Sequence, residues 1–218
     1  MGTKPTYLEA RYNMAKHVII NIGRQFGSQG REIADEIGRM LGIPVYDDEL
    51  LAKAAEDSGF SATLFEKRDE KRRFWKVGNI FGANRYGGFS NAGINDGDLF
   101  RIQSDAIRRI ANEGSAIFIG RASNYVLRDR EDCLDVFIHA PMDIRKAYVA
   151  QREGIPEDKA EDFVFKKDRG RAEYYNFFTF GHWGKSSDYD LCIDSSLLGV
   201  RGTAEFIVDF GRKAGLID

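Results

Sequence analysis

The sequence predicts an α/β fold, with helices packed on both faces of one parallel sheet of about five strands. Three observations predict it. The run His17-Val18-Ile19-Ile20-Asn21-Ile22 is apolar and β-branched, and it passes through a glycine-bearing loop straight into helical spacing. Apolar runs of strand length recur at Ser115–Ile119, Leu134–His139 and Tyr189–Asp194. Helical patterns separate them, such as Leu99, Ile102, Ala106 and Ile110.

Length and charge bound the function classes. A chain of 218 residues can bury a sizeable core as one domain, expected over residues 17–214. Its net charge of -2 speaks against bulk binding to nucleic acid or a membrane, which calls for a strong basic excess. No apolar run has the length of a membrane span, and the first residues lack the apolar core of a secretion signal. Cys133 and Cys192 each stand beside apolar residues and read as two small buried side chains in a reducing compartment. A cytoplasmic protein is the expectation.

In chain order, residues 1–16 have no period and read as an N-terminal arm or a cloning remnant. The loop Gly23-Arg24-Gln25-Phe26-Gly27-Ser28-Gln29-Gly30 carries three glycines in eight positions and opens a helix. Glycines let backbone N–H groups turn inward around an oxyanion, and the helix start adds its positive end. A plain strand-to-helix turn is the alternative. The helix that follows places Ile33, Ile37, Met40 and Leu41 on one face and stops at Gly42. A short strand, Pro44–Asp47, ends in the acids Asp47-Asp48-Glu49. Asp48 reads as a helix cap, and Asp47 as a carboxylate facing the phosphate loop.

Residues 60–98 read as a substrate-side insertion, charged from Glu66 to Arg73 and glycine-rich from Gly78 to Gly97. A disordered surface loop is the alternative there. The strand Ser115–Ile119 closes in Ile119-Gly120-Arg121, an echo of Ile22-Gly23-Arg24, and strand carboxyl ends are where ligands collect in open parallel sheets. Arg24 and Arg121 are therefore expected to face one crevice that takes an anion. His139 ends a strand without a nucleophile partner and reads as structural. Pro156 starts a long helix with an acidic first turn that becomes basic at Lys166, Lys167, Arg169 and Arg171. Lys167 and Arg171 share a face, where an anion between them would relieve their repulsion. The aromatic stretch Tyr174–Trp183 reads as core or an oligomer face, less often as a base-stacking platform.

Taken together, Gly27-Ser28-Gln29-Gly30-Arg31-Glu32-Ile33, Tyr46-Asp47, Gly120-Arg121-Ala122, Asp168-Arg169 and Tyr189-Asp190-Leu191-Cys192-Ile193-Asp194-Ser195 resemble the cytidylate kinase-like proteins. These are a divergent branch of the P-loop nucleoside monophosphate kinases. The resemblance implies a three-layer P-loop NTPase sandwich with a helical lid over residues 156–185. It also implies ATP with Mg2+ as donor and a nucleoside monophosphate, cytidylate favoured, as acceptor. Gly23, Arg24, Gly27, Ser28, Gln29, Gly30, Arg31 and Glu32 would then bind the donor. Arg31, Arg121, Arg169 and Arg171 would be catalytic, with Asp47, Arg121, Lys167 and Arg171 on the acceptor and Glu32 and Asp47 on the metal. A homo-oligomer is compatible with it. The chain departs from the pattern G-x-x-x-x-G-K-[ST] at Gln25, Arg31 and Glu32, and Ala122 stands where cytidylate kinases have Asp. Glu32 could bind the metal, repel phosphates, or simply suit the positive helix start. A nucleotide sensor without transfer and a kinase of another small molecule remain as alternatives.

Overall fold

The structure is a computed structural model that describes residues 17–57 and 96–218. The expectations for residues 1–16 and for most of 60–98 lie outside the described residues. Five parallel strands, β1 (Ile19–Arg24), β2 (Val45–Tyr46), β3 (Ala116–Ile119), β4 (Cys133–His139) and β5 (Leu191–Asp194), form one sheet in the order β2-β3-β1-β4-β5. The strand that feeds the glycine loop lies at its centre. Ile22 registers with Ile119 on one side and Val136 on the other, so the parallel strands β1, β3 and β4 end close to one level, β3 first, and their loops share one edge.

Helices cover both faces because the strands alternate buried side chains across the sheet. Ile20 and Ile22 point into a core shared with Ile33 and Ile37 of α1 (Gly30–Leu41) and with Ile207 and Val208 of α7 (Gly199–Lys213). Ile19 and Phe118 point the other way, against Leu51 of α2 (Asp48–Asp57) and Ile107 and Ile110 of α3 (Asp96–Glu113). Each fully buried isoleucine contributes about 1.5–3 kcal/mol relative to exposure. In α1 the inward stripe is Ile33, Ala34, Ile37 and Gly38, while Met40 is 37% exposed. The stripe thus runs one position short of the expected face. Gly42, with φ 68°, closes α1 in the left-handed conformation that glycine takes at little strain.

Gly97 lies inside α3, so the expected loop ends before it. Helix α4 (Ser123–Val126), a single turn after β3, has no periodic signature in the sequence. Helices α5 (Met142–Glu153) and α6 (Glu157–Thr179) both start after a proline, where the missing N–H is not needed. Cys133 is buried as expected, whereas Cys192 is exposed on β5, which lies at the sheet edge and pairs only with β4. Phe206 of α7 is likewise exposed, while Ile207 one residue on is core.

Candidate active site

The loop between β1 and α1 is anchored by side chains, and most of its own amides are left without a backbone acceptor among the described residues. Gln25 N–H bonds to Ile138 O at 2.9 Å, and the Gln25 side-chain oxygen accepts from Ala140 N–H at 3.2 Å. The Ser28 hydroxyl donates to Gln25 O and Ile138 O, and the Ser195 hydroxyl donates to Ser28 O at 2.8 Å. Gln29 stands at the N-cap with φ 56° and offers no side-chain cap. Consequently the N–H groups of Gly27, Gln29, Gly30, Arg31 and Glu32 have no backbone acceptor among the described residues, and the α1 dipole adds its positive end to them. A concave row of open amides at a helix start binds oxyanions.

Three arginines gather at the same edge. Arg24 leaves the end of β1 and runs between Gly30 and Gly120, where any Cβ would collide with its side chain. Gly120, Arg121 and Ala122 have φ 74°, 55° and 52°, three successive left-handed residues that turn the chain sharply at the end of β3. The two non-glycine residues there carry a strain of about 1–2 kcal/mol each. Arg121 is ion-paired with Asp48 and lies 5.2 Å from the Tyr174 ring centre. From α6, Arg171 donates to Arg24 O at 3.0 Å. Burial and the neighbouring Arg171 and Arg121 charges push the Arg24 guanidinium well below the ordinary arginine range, against the pull of Asp48 and Asp47. Arg171 is lowered to about 10, chiefly by burial, with Asp168 opposing and Arg152, Arg121 and Arg145 adding to it. Among the described residues no hydrogen bond or ion pair holds the Arg24 guanidinium. Shifted cations gathered at one edge mark a candidate site for an anion.

The two carboxylates nearest the loop already hold donors. Asp47 is the cap of α2, since its side chain accepts from Leu50 N–H at 3.0 Å and its carbonyl from Leu51 N–H at 2.9 Å. Capping therefore falls to Asp47, one residue before the expected Asp48, because the first helical turn closes on the Asp47 carbonyl. Asp48, inside the helix, faces Arg121 and Gln103 instead. Asp47 also accepts from Arg31, and Glu32 accepts from the Tyr148 hydroxyl of α5. Burial would raise the Asp47 carboxyl, but Leu50 N–H and Arg31 outweigh it and the net shift is downward. A depressed carboxyl stabilises the fold above the ordinary carboxylate range and ceases to as pH falls through its lowered value. Asp47→Ala should then lower Tm by about 2–4 °C at pH 7, the equivalent of a lost cap of about 1 kcal/mol. The gap should narrow as pH falls through the ordinary carboxylate range and below it, which melts at pH 7 and at acid pH would reveal.

The structure brings Gly23, Arg24, Gly27, Ser28, Gln29, Gly30, Arg121, Lys167 and Arg171 to one sheet edge. Lys167 and Arg171 both approach the Phe26 ring, at 6.0 and 5.2 Å, so the shared basic face of α6 does meet the loop. Arg169 lies exposed instead, its guanidinium on Glu173 at 2.9 Å. Helical phase explains the difference, since a residue two positions from Lys167 or Arg171 points to another side of the helix. Sequence reasoning passed over Arg145, Gln103 and Tyr148. Arg145 is 6% exposed yet sits in a stretch of mixed charges that reads as an ordinary solvated face, and nothing in the local pattern singles it out.

Residues 19–197 match the model of the cytidylate kinase-like family. The chain belongs to that family. Among curated relatives, the cytidylate kinase of Methanopyrus kandleri is 26% identical over 188 residues, covering 82% of this chain and 85% of its own. That of Pyrobaculum aerophilum is 25% identical over 195 residues, with 88% and 92% covered. An uncharacterized protein from Eubacterium ventriosum superposes with a TM-score of 0.68 at 27% identity, over 88% of this chain and 97% of the other. The shikimate kinase of Acinetobacter baumannii, with a TM-score of 0.50 at 10% identity over 93% and 97%, shares the fold alone. This cytidylate kinase-like chain has a P-loop kinase fold and is a phosphotransferase. No helix among the described residues is long and apolar enough to cross a membrane.

Proposed function

We propose that this chain transfers the terminal phosphate of ATP to a nucleoside monophosphate, with a cytidylate-like acceptor favoured. The observation that carries the reading is the Arg24 guanidinium, desolvated beside Arg121 and Arg171 and next to open loop amides. Arg121 is paired with Asp48, but Arg24 and Arg171 repel one another until a polyphosphate neutralises them, and phosphoryl transfer needs positioning and charge stabilisation more than a covalent nucleophile. An acceptor phosphate oxygen attacks the γ-phosphorus in line, the β–γ bridging bond breaks, and ADP leaves.

The open amides of Gly27, Gln29, Gly30, Arg31 and Glu32 hold the β-phosphate of the donor. Arg31, 58% exposed at its side chain and tied to Asp47, has five N–H donors and can keep that partner while turning others to the transferred group. Arg121 orients the acceptor phosphate, held by Asp48 and the Tyr174 ring. Lys167 and Arg171 cover the charge from α6, and Arg169 enters only through a change of partner from Glu173. The described residues include no group of three or more side chains that would cage a metal ion. Glu32 and Asp47 nevertheless fit Mg2+ that arrives on the phosphates, because each keeps oxygen lone pairs beyond the donors it accepts and such an ion retains most of its water. Bound there, Mg2+ would neutralise charge on the β- and γ-oxygens.

A coupled assay with ATP, Mg2+ and a panel of ribo- and deoxyribonucleoside monophosphates tests the reading. Turnover with at least one pyrimidine monophosphate is expected, and none with the whole panel refutes the acceptor class. Arg31→Ala should reduce kcat/KM by more than tenfold, as the loss of a charged hydrogen bond of about 1.5–3 kcal/mol implies. Wild-type turnover in that variant would remove Arg31 from the site.

A further inference from the structure

Phe26, the one aromatic residue of the loop, has both of its backbone polar groups gripped by a single ion pair. Asp168 of α6 accepts from Phe26 N–H at 2.6 Å, and Arg145 of α5 donates to Phe26 O at 3.2 Å. Arg145 and Asp168 bond each other at 2.5 Å, with side chains only 7% and 13% exposed. The Arg145 Nε–H also donates to Ala140 O at 2.9 Å, beyond the end of β4. One ion pair therefore ties three segments to the loop.

Stability alone gives a weak reason for such a pair. Desolvating two charges cancels much of their attraction, and a well-packed apolar pair of the same volume is often as stable. What an apolar pair could not supply is direction. A donor and an acceptor aimed at the two faces of one peptide fix the rotation of that peptide, and with it the heading of the amides that follow. The next residue, Gly27, has φ 82° and packs so closely on Arg145 that an added Cβ would lie 2.9 Å from the Arg145 carbonyl oxygen. On α6, Asp168 is flanked by Lys167 and followed one turn later by Arg171, so its bond to the loop also sets the register of the basic face that meets Phe26.

We infer that Arg145 and Asp168 are positioning residues for phosphate transfer, which hold the loop in its anion-binding shape and dock the basic face of α6 against it. The inference rests on the nucleotide reading above, and it gives the Asp168-Arg169 motif a role that lies with the aspartate. The basic segment of α6 is in this view a fixed wall of the donor site.

The test uses the full chain and compares wild type with Asp168→Asn, Asp168→Ala and Arg145→Lys. MgATP affinity is measured by titration calorimetry at 15 °C, alongside Tm. Asp168→Asn keeps an oxygen for Phe26 N–H and should weaken MgATP binding a few-fold. Asp168→Ala should weaken it about tenfold or more, with KM for ATP rising by the same factor and kcat changing less than threefold. Arg145→Lys should fall between them. A purely structural role would lower Tm and leave affinity within twofold of wild type in the folded protein, and that result overturns the inference. Should Asp168→Ala not fold, Asp168→Asn and Arg145→Lys decide on the same criterion. Wild type without measurable MgATP binding refutes the nucleotide reading and the inference together, whereas wild-type binding that the variants retain refutes the inference alone.

Discussion

Gly27→Ala is expected to lower Tm by about 5–15 °C and to raise KM for ATP more than tenfold. Two independent effects add at this position. With φ 82°, a side chain strains the backbone by about 1–2 kcal/mol. The new methyl would also lie 2.9 Å from the Arg145 carbonyl oxygen and 2.9 Å from Val149 Cγ2. Backbone on a packed helix yields little, so overpacking adds about 1–3 kcal/mol. The sum, about 2–5 kcal/mol, converts to a shift of about 4–20 °C at roughly 2–4 °C per kcal/mol for a chain of this size, which brackets the stated range. The binding effect follows because relief is available mainly by moving the loop off α5, which displaces the amides of Gly27, Gln29, Gly30, Arg31 and Glu32 that have no backbone acceptor among the described residues. Gly42→Ala is the internal control. It has φ 68° but nothing within 4 Å of the added methyl, so it should pay only the conformational part and keep wild-type KM. If the two variants match in both Tm and KM, the close approach of loop to helix is not what constrains the site.

The contrast between these glycines also marks what could be read from the sequence. Gly42 was legible because helix stops are local, and a glycine after the last apolar position has one common use. The sheet and its parallel sense were legible for a related reason, since β1, β3 and β4 are apolar runs buried on both faces and separated by helices. The convergence of Arg24 and Arg121 followed from the same logic, both standing at the carboxyl ends of neighbouring strands. Arg145 was not legible. Its partners, Phe26 and Asp168, are 119 and 23 residues away in the chain, and nothing in a local charge pattern distinguishes a buried clamp from a solvated arginine. The cap at Asp47 was misplaced by one residue because two adjacent aspartates are equally good caps, and only the closing hydrogen bond to the Asp47 carbonyl selects between them.

The most discriminating consequence of the arginine cluster is that one substitution should move stability and affinity in opposite directions. Arg24 is desolvated, flanked by Arg171 and Arg121, and no partner among the described residues holds its guanidinium. Replacing it with methionine keeps much of the volume between Gly30 and Gly120 while removing a charge that Asp48 and Asp47 offset only at a distance. In the absence of ligand, Arg24→Met should therefore melt no lower than wild type, and a few degrees higher if the cationic repulsion is worth about 1 kcal/mol. With ATP or inorganic tripolyphosphate the order should reverse. A charged hydrogen bond to phosphate is worth about 1.5–3 kcal/mol, so affinity should fall about tenfold to a hundredfold. Wild type should then gain more in Tm from saturating tripolyphosphate than the variant does, as binding to the folded state alone requires. Scanning calorimetry of both proteins with and without tripolyphosphate measures all four midpoints. A variant that loses several degrees without ligand yet keeps wild-type phosphate affinity would mean that Arg24 is a packing residue, and that the anion is held by the loop amides and the remaining arginines.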